Sequence, residues 1–225
     1  MEYANLAEIP FSEDKVAIAL TTSPAGNTGH IGIAFYSSDK EPHVLHLAWH
    51  RELRKEAVSA LKNSWIAAPL KIPSSASKQV AAYMQVVANH EYHINYGINL
   101  IDAMGSFAPD GTYTPSANSD GLTCATFVLE ILRAQCIDLV DLGSWIAIPE
   151  NIVWANLVCD SLEKYGADHI HIARVRGNIN GLRLRPFEVA GAAQMGQKSW
   201  PCSFEGVQTS AANVEKQFLR ILSAK

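Results

Sequence analysis

The chain has 225 residues, of which 48% are hydrophobic and 18% charged, and its formal net charge is -4 at pH 7. This length allows a sizeable core, and this composition is typical of a globular protein and excludes a disordered or membrane-spanning chain. Lysine and arginine are scattered along the sequence without forming a basic stripe, so no nucleic-acid partner is expected.

The ends of the chain and its continuity predict a single domain. No low-complexity spacer divides it, so we expect one domain over residues 1–225, with a core at about 15–175 and C-terminal helices in 186–225. The opening segment MEYANLAEIPFSEDK lacks the apolar stretch of a secretory signal peptide, and no segment approaches the roughly 18 to 20 apolar residues of a membrane span. We therefore expect cytoplasmic synthesis and no stable membrane insertion.

The first third of the chain reads as β-structure. Residues 15–22, 30–37 and 43–49 are short, β-rich segments separated by polar or glycine-rich turns, and they predict an antiparallel meander. Residues 64–72 predict a further strand at an edge of the sheet, because Pro69 cannot donate to a central ladder.

Helical patterns dominate the rest. Apolar residues at helical spacing predict helices over 75–92, 122–132, 149–166, 185–196 and 210–225. Residues 106–121 form a polar loop that could wall a cleft, and the alternation in DHIHIARVRG predicts a strand over 168–177. The total is an α+β fold, an antiparallel β-sheet packed against helices.

Cys124 begins the predicted helix LTCATFVLEIL, which raises the question of whether it packs or reacts. Thr123, Ser119 or Asp120 could cap this helix. Its unpaired amides and its dipole would then lower the thiol pKa below the usual value of about 8.5. A buried structural thiol is the alternative. Cys136, Cys159 and Cys202 lack this setting, and the absence of a C-x-x-C pair argues against zinc.

A cysteine nucleophile needs a base, normally an imidazole oriented by a third polar group. His30 opens the second strand of the meander, and His46 lies in the next strand, so pairing of the strands could bring the two rings together. A metal site is an alternative of another class. Its ligands would come from the histidines at positions 43, 46, 50, 90 and 93, but their spacing gives it little support.

The succession GHIGIAF, VLHLA and LTCATFV resembles the circularly permuted branch of the NlpC/P60 papain-like superfamily, with its YiiX-like and lecithin:retinol acyltransferase-like members. The resemblance covers roughly residues 16–132. It implies a permuted papain-like fold with Cys124 as nucleophile, His30 as general base and His46 as its orienting residue. Thr123 stands where these families often have Asp or Asn, and His43 is the nearest substitute for the third position.

The resemblance also implies a function, a cysteine peptidase or amidase that cleaves peptidoglycan stem peptides without a cofactor or metal. Without a signal peptide, such an enzyme would reach the periplasm of a target cell by another route. This suggests a type VI secretion effector, an antibacterial toxin with the secretion apparatus and an immunity protein as partners. An acyltransferase or lipase acting on lipid esters or thioesters is the alternative enzyme, and a catalytically inactive binding module is the alternative of another class.

Overall fold

The computed structural model describes residues 2–23 and 26–223, so the glycine-rich turn predicted at 23–29 lies partly outside the described residues. In the described part the chain is α+β, with a six-stranded antiparallel sheet and six α-helices. The strands follow the order β1-β6-β2-β3-β4-β5 across the sheet. They are Ala4–Asn5 (β1), Val16–Ser23 (β2), Gly26–Tyr36 (β3), Pro42–Trp49 (β4), Glu52–Ala57 (β5) and Ile66–Pro69 (β6).

The predicted meander is confirmed as β2, β3 and β4, which pair antiparallel in chain order. The edge position expected for β6 is wrong, because β6 pairs with β2 on one side and with the two-residue β1 on the other. Pro69 is accommodated because it is the last residue of β6. No sequence pattern predicted β5, whose exposed and partly exposed residues ELRKEA lack an apolar face.

Five of the helices follow the predicted segments. The helices are Ser74–Asn89 (α1), Cys124–Arg133 (α2), Glu150–Lys164 (α3), His169–Gly177 (α4), Pro186–Met195 (α5) and Phe204–Ser223 (α6). The sixth, α4, replaces the strand predicted over 168–177. Asp168 caps it by accepting the Ile170 and His171 amides, and the buried side chains of His171, Ile172 and Val175 follow helical spacing.

The sheet separates a large core from a small one. Ile31, Ile33 and Phe35 of β3 belong to the large core, together with α1, α2 and α5, whereas Ala34 belongs to the small core with Trp65. This division follows from the alternation of side chains along a strand. The helices that matter for the site therefore pack on one face of the sheet.

The N-terminus of α2 meets the sheet near the end of the β3–β4 ladder. The helix packs on β3 and β4, and the β3–β4 register runs from Ile33 opposite Leu45 to Tyr36 opposite Pro42. Beyond Ile33 the β3 backbone has no registered β4 partner, and the amide of Ile31 interacts with the Cys124 sulfur. The first residue of α2 therefore lies against β3 just beyond the registered part of the ladder.

A second backbone segment is fixed beside the same helix end. Tyr96 forms a parallel bridge with Leu122, and the Leu122 amide donates to the Asn95 carbonyl at 2.9 Å. Gly121 has φ +113°, and a Cβ there would lie 2.0 Å from that carbonyl oxygen. Only glycine allows this close approach. The Tyr96 backbone is therefore fixed beside Leu122, two residues before Cys124.

Asp120 stabilises this junction. Its buried carboxylate accepts hydrogen bonds from the Ile98 amide at 3.1 and 3.2 Å, the Asn99 amide at 3.1 Å and the Asn178 side-chain amide at 3.0 Å. The carboxylate therefore ties the segment after Tyr96 to the turn before Cys124 and to the end of α4.

We expect Asp120→Ala to lower the free energy of unfolding by about 2 kcal/mol or more, because it leaves buried amide donors unpaired. Urea denaturation measures this change. Asp110→Ala is the matched control, since Asp110 is exposed and accepts the Thr112 amide, and we expect it to stay within about 0.5 kcal/mol of wild type. Equal effects of the two substitutions would contradict the role of Asp120.

Candidate active site

Cys124 is the first residue of α2 and is held there by a reciprocal cap. Thr123 Oγ1 accepts the Thr126 amide at 3.0 Å, and Thr126 Oγ1 accepts the Thr123 amide at 2.7 Å. Thr123, one of the three predicted caps, is thus the capping residue. Nine of the ten residues of α2 are buried, so the helix end is fixed by packing as well as by capping.

A cavity of about 620 Å³ opens at this helix end. Cys124 and His30 both line it, although the His30 ring packs with Trp65 on the small-core face of the sheet. Trp154 of α3 and Arg183, just before α5, line it from the helical side. The predicted loop 106–121 does not contribute to its walls. Instead that loop bonds internally, for example in the bridge between Phe107 and Tyr113.

The Cys124 sulfur is surrounded by hydrogen-bond donors. The amides of Ile31 and Ala125 and the hydroxyl of Tyr96 all interact with it, and the charge of Arg183 also favours the thiolate. Burial nevertheless outweighs these effects and raises the pKa of the Cys124 thiol above its usual value. The expectation that the helix end lowers this pKa is therefore wrong, because desolvation of the sulfur is the larger effect.

The two predicted histidines form a buried pair. Nε2 of His30 lies 2.7 Å from Nδ1 of His46, and Nε2 of His46 lies 2.7 Å from Oε2 of Glu56. Both rings make edge contacts with Trp65. The Glu56 carboxylate can only accept, so Nε2 of His46 donates to it. With His46 as a neutral imidazole, its Nδ1 accepts from Nε2 of His30, and Nδ1 of His30 is then unprotonated.

Burial, followed by the charges of His46 and Arg54, lowers the pKa of His30 to about 3. His30 is therefore a neutral imidazole at neutral pH, the form in which a histidine accepts a proton. The hydrogen bond from His46 holds the pKa of Glu56 below its usual value, so this carboxyl is ionised at the end of the chain of three groups.

The structure brings His30 to His46 more closely than to Cys124. Cys124 and His30 border the same cavity, but no hydrogen bond joins them among the described residues. His30 directly precedes Ile31, whose backbone amide interacts with the sulfur, so the His30 backbone lies close to Cys124 while its ring packs against Trp65. Catalytic hydrogen bonds commonly shorten only when substrate binds.

Tyr96 is a site residue that the sequence analysis missed. Its hydroxyl interacts with the Cys124 sulfur and backbone amide, and burial keeps its pKa well above the usual value, so it is a neutral donor. Its backbone is held between two histidines, with the amide donating to Nδ1 of His50 at 3.2 Å and the carbonyl accepting from Nε2 of His171 at 3.0 Å. Burial and the charge of His171 lower the pKa of His50 to about 4, which keeps it an acceptor.

The remaining histidines do not form a metal site. His43, the substitute considered for the third position, bonds the Glu41 carbonyl at 3.0 Å and lies by Phe35, away from His30. His90 stacks on Tyr92. No group of three or more potential metal ligands was found in the described part of the chain. Three further cysteines lie outside the cavity walls, Cys136 exposed and Cys159 and Cys202 buried.

Comparison with protein-family models, with curated proteins and with solved structures yields no match for this chain. Among the helices of the described residues, none has the length and apolarity required to cross a bilayer.

The first prediction from this geometry concerns the thiol. Because burial raises the pKa of Cys124, we expect its alkylation by iodoacetamide to accelerate with pH through a midpoint above the usual thiol value of about 8.5. Tyr96→Phe removes a hydrogen bond that favours the thiolate and should move the midpoint further up. Peptide mass mapping follows Cys124, with exposed Cys136 as internal reference. A plateau of the rate already at pH 7 would contradict this assignment.

The second prediction concerns stability. The pKa of His30 is about 3 when folded and about 6.5 when unfolded, so between these values only the unfolded chain takes up the proton. Stability must therefore fall as pH decreases through this range. We expect wild type to lose roughly 3 kcal/mol more than His30→Asn between pH 7 and pH 4. Urea denaturation checks this, and His50 cancels because both proteins keep it. Parallel losses in the two proteins would argue against a buried neutral His30.

Proposed function

We propose that this chain is a cysteine hydrolase that cleaves amide bonds in peptidoglycan stem peptides, with Cys124 as nucleophile, His30 as general base and His46 as its orienting residue. The observation that carries the proposal is the shared cavity. A thiol at a helix N-terminus and the end of the His30–His46–Glu56 network border one space large enough for a peptide segment.

The fold supports this proposal at a coarser level. A histidine-bearing antiparallel strand precedes the cysteine helix in the chain, and α2 packs on that strand and its neighbour. This is the order expected of a permuted papain-like (NlpC/P60) fold, which we propose for residues 1–225. Glu56 extends the proposed pair, because its carboxylate fixes the tautomer of His46 and, through it, that of His30.

The first half-reaction forms an acyl-enzyme. The Nδ1 atom of His30 accepts the Cys124 thiol proton as the sulfur bonds to the carbonyl carbon of the amide. The carbonyl oxygen takes up the electron pair, and the Tyr96 hydroxyl and the first amides of α2 are donors available to it. His30 then gives the proton to the amide nitrogen, the carbon–nitrogen bond breaks, and an amine leaves behind a thioester.

The second half-reaction restores the thiol. His30 accepts a proton from a water molecule whose oxygen attacks the thioester carbon, and the carbon–sulfur bond then breaks. The proton on His30 returns to the departing sulfur, and a carboxylic acid is released. The overall change is hydrolysis of one amide by one water, without cofactor or metal.

The cavity walls favour a peptide substrate with polar groups. Glu52, Ser161 and Arg183 line it beside Trp49 and Trp154, a mixture that suits side chains of both kinds. The target and the export route belong to the same proposal. An antibacterial effector delivered by a type VI-like apparatus, with an immunity protein as partner, would bring this activity to peptidoglycan.

A second candidate function rests on the apolar part of the same wall. Leu157, Val158 and Leu184 line the cavity, and Leu157 of α3 is 51% exposed. This apolar strip could accept an acyl chain. A thiol acyltransferase or lipase acting on lipid esters or thioesters is therefore the alternative.

The test compares wild type with Cys124→Ala on purified peptidoglycan and identifies released fragments by mass. We expect wild type to release peptides with new amino and carboxyl ends, and Cys124→Ala to lose this release by a factor of about 10³ or more. His30→Ala should lose a similar factor, because the thiol then has no base.

Cys159→Ala is the matched control, since it removes a buried helical thiol that does not line the cavity. We expect it to keep the release seen in wild type. Equal release by Cys124→Ala and wild type would overturn the proposal. Turnover of a phospholipid or thioester that depends on Cys124, with none on peptidoglycan, would instead establish the alternative, and no Cys124-dependent turnover of any of them would leave a binding module.

A further inference from the structure

Arg183 is a partly buried cation that forms no ion pair among the described residues. Its Nε atom is inaccessible and has no hydrogen-bond partner, and no carboxylate forms an ion pair with its guanidinium among the described residues. By contrast, Arg185, two residues later in the same segment, does form an ion pair. It pairs with Glu188 at 2.6 Å and also donates through Nε to that carboxylate at 2.9 Å.

The orientation of Arg183 is nevertheless fixed. Its Cζ atom lies over the Trp154 ring, 3.7 Å from the ring centre, a distance at which a flat guanidinium packs best with its plane along the indole face. A guanidinium stacked in this way directs its N–H groups outward in its own plane. Burial lowers the pKa of Arg183 to about 10, which still leaves it charged at neutral pH.

Arg183 and Cys124 share the cavity, and the charge of Arg183 acts on both the Cys124 thiol and the Tyr96 hydroxyl. The nearby acidic side chains already form ion pairs with other arginines. Glu188 is bound by Arg185, and Glu52, which also lines the cavity, pairs with Arg54. A partly buried charge with a buried, unpaired Nε–H is costly to leave without a counter-charge, so a negative group supplied by a ligand would complete the site.

We propose that Arg183 binds a carboxylate of the substrate, next to the carbonyl that Cys124 attacks. The stacked guanidinium offers the paired donors that match a carboxylate, and one cation suits a group with one negative charge. The hydrolase thus prefers peptides with a free carboxylate beside the cleaved bond. This specificity rests on the proposed function, whereas the carboxylate subsite itself can be tested without turnover.

The test uses two alkylating reagents of similar size, iodoacetate, which carries a carboxylate, and iodoacetamide, which is neutral. The rate ratio of iodoacetate to iodoacetamide is measured at Cys124 and at exposed Cys136 in the same sample by peptide mass mapping. Because both reagents attack the same thiolate, its pKa cancels in each ratio. We expect the ratio at Cys124 to exceed that at Cys136 by about tenfold, as for one charge-assisted hydrogen-bonded pair.

Arg183→Gln should bring the two ratios within about twofold of each other, and Arg183→Lys, which keeps the charge but loses the paired donors, should fall between. Lys164→Gln is the matched control, because Lys164 lines the same cavity but lies exposed over Tyr165. We expect it to keep most of the wild-type preference.

The proposal is overturned by a wild-type ratio at Cys124 no higher than at Cys136, a result that needs no variant to fold. It is equally overturned if Lys164→Gln abolishes the preference as fully as Arg183→Gln does. Unchanged peptidoglycan cleavage by Cys124→Ala would refute the proposed hydrolase. That result would leave the reagent ratios of the wild-type protein unaffected. The two failures are therefore distinguishable.

Discussion

The burial of the N-terminus of α2 against β3 determines the rest of the site. Nine of the ten residues of α2 are buried, and its first residue lies against β3 just beyond Ile33, where the β3–β4 register stops. The free amide of Ile31 then meets the sulfur, and His30, its neighbour in the chain, lines the same cavity. The burial of this helix end therefore explains both where the Cys124 thiol lies and why it has lost contact with water.

The same burial explains how a sequence rule on helix ends led to the wrong pKa direction. The amides and dipole at a helix N-terminus do favour a thiolate, and the Ala125 amide of α2 acts in that direction here. The rule assumes that the thiol keeps contact with water. At a helix end that packs into a sheet, the loss of hydration is the larger effect, and the resting thiol stays protonated.

Local patterns predicted the elements that bury one clear face. The meander and five helices carry apolar residues at the period of a strand or a helix, and they are found where expected. The segment 168–177 misled because its alternating isoleucines fit a strand, whereas Asp168 at its start is a helix cap. The polar strand β5 gave no signal, and with it Glu56 was missed, although the pairing of His30 with His46 was foreseen from neighbouring strands.

The missed site residues share a feature that spacing cannot reveal. Glu56, Tyr96 and Arg183 reach the site from segments far apart in the chain, and each is defined by its partner in space. Asp120 had a partial signal in the sequence, because it lies directly before the Cys124 helix in a turn rich in glycine, asparagine and serine. What it fixes, the Tyr96 segment, only becomes visible in the fold.

These distant residues resolve the tension between a protonated thiol and nucleophilic attack. In the proposed reaction a neutral thiol and a neutral imidazole become a thiolate and an imidazolium, a charge separation that a buried site would oppose. Glu56 lies behind His30 through His46, where it stabilises the positive end, and Arg183 and Tyr96 lie by the sulfur, where they stabilise the negative end. These fixed groups lower the free-energy cost of the charge-separated state, although desolvation still keeps the resting pair neutral. A carboxylate bound at Arg183 would weaken the electrostatic effect of Arg183 on the sulfur. The subsite must therefore hold this carboxylate to the side of the reacting carbon, so that the Tyr96 hydroxyl and the helix amides stabilise the developing negative charge.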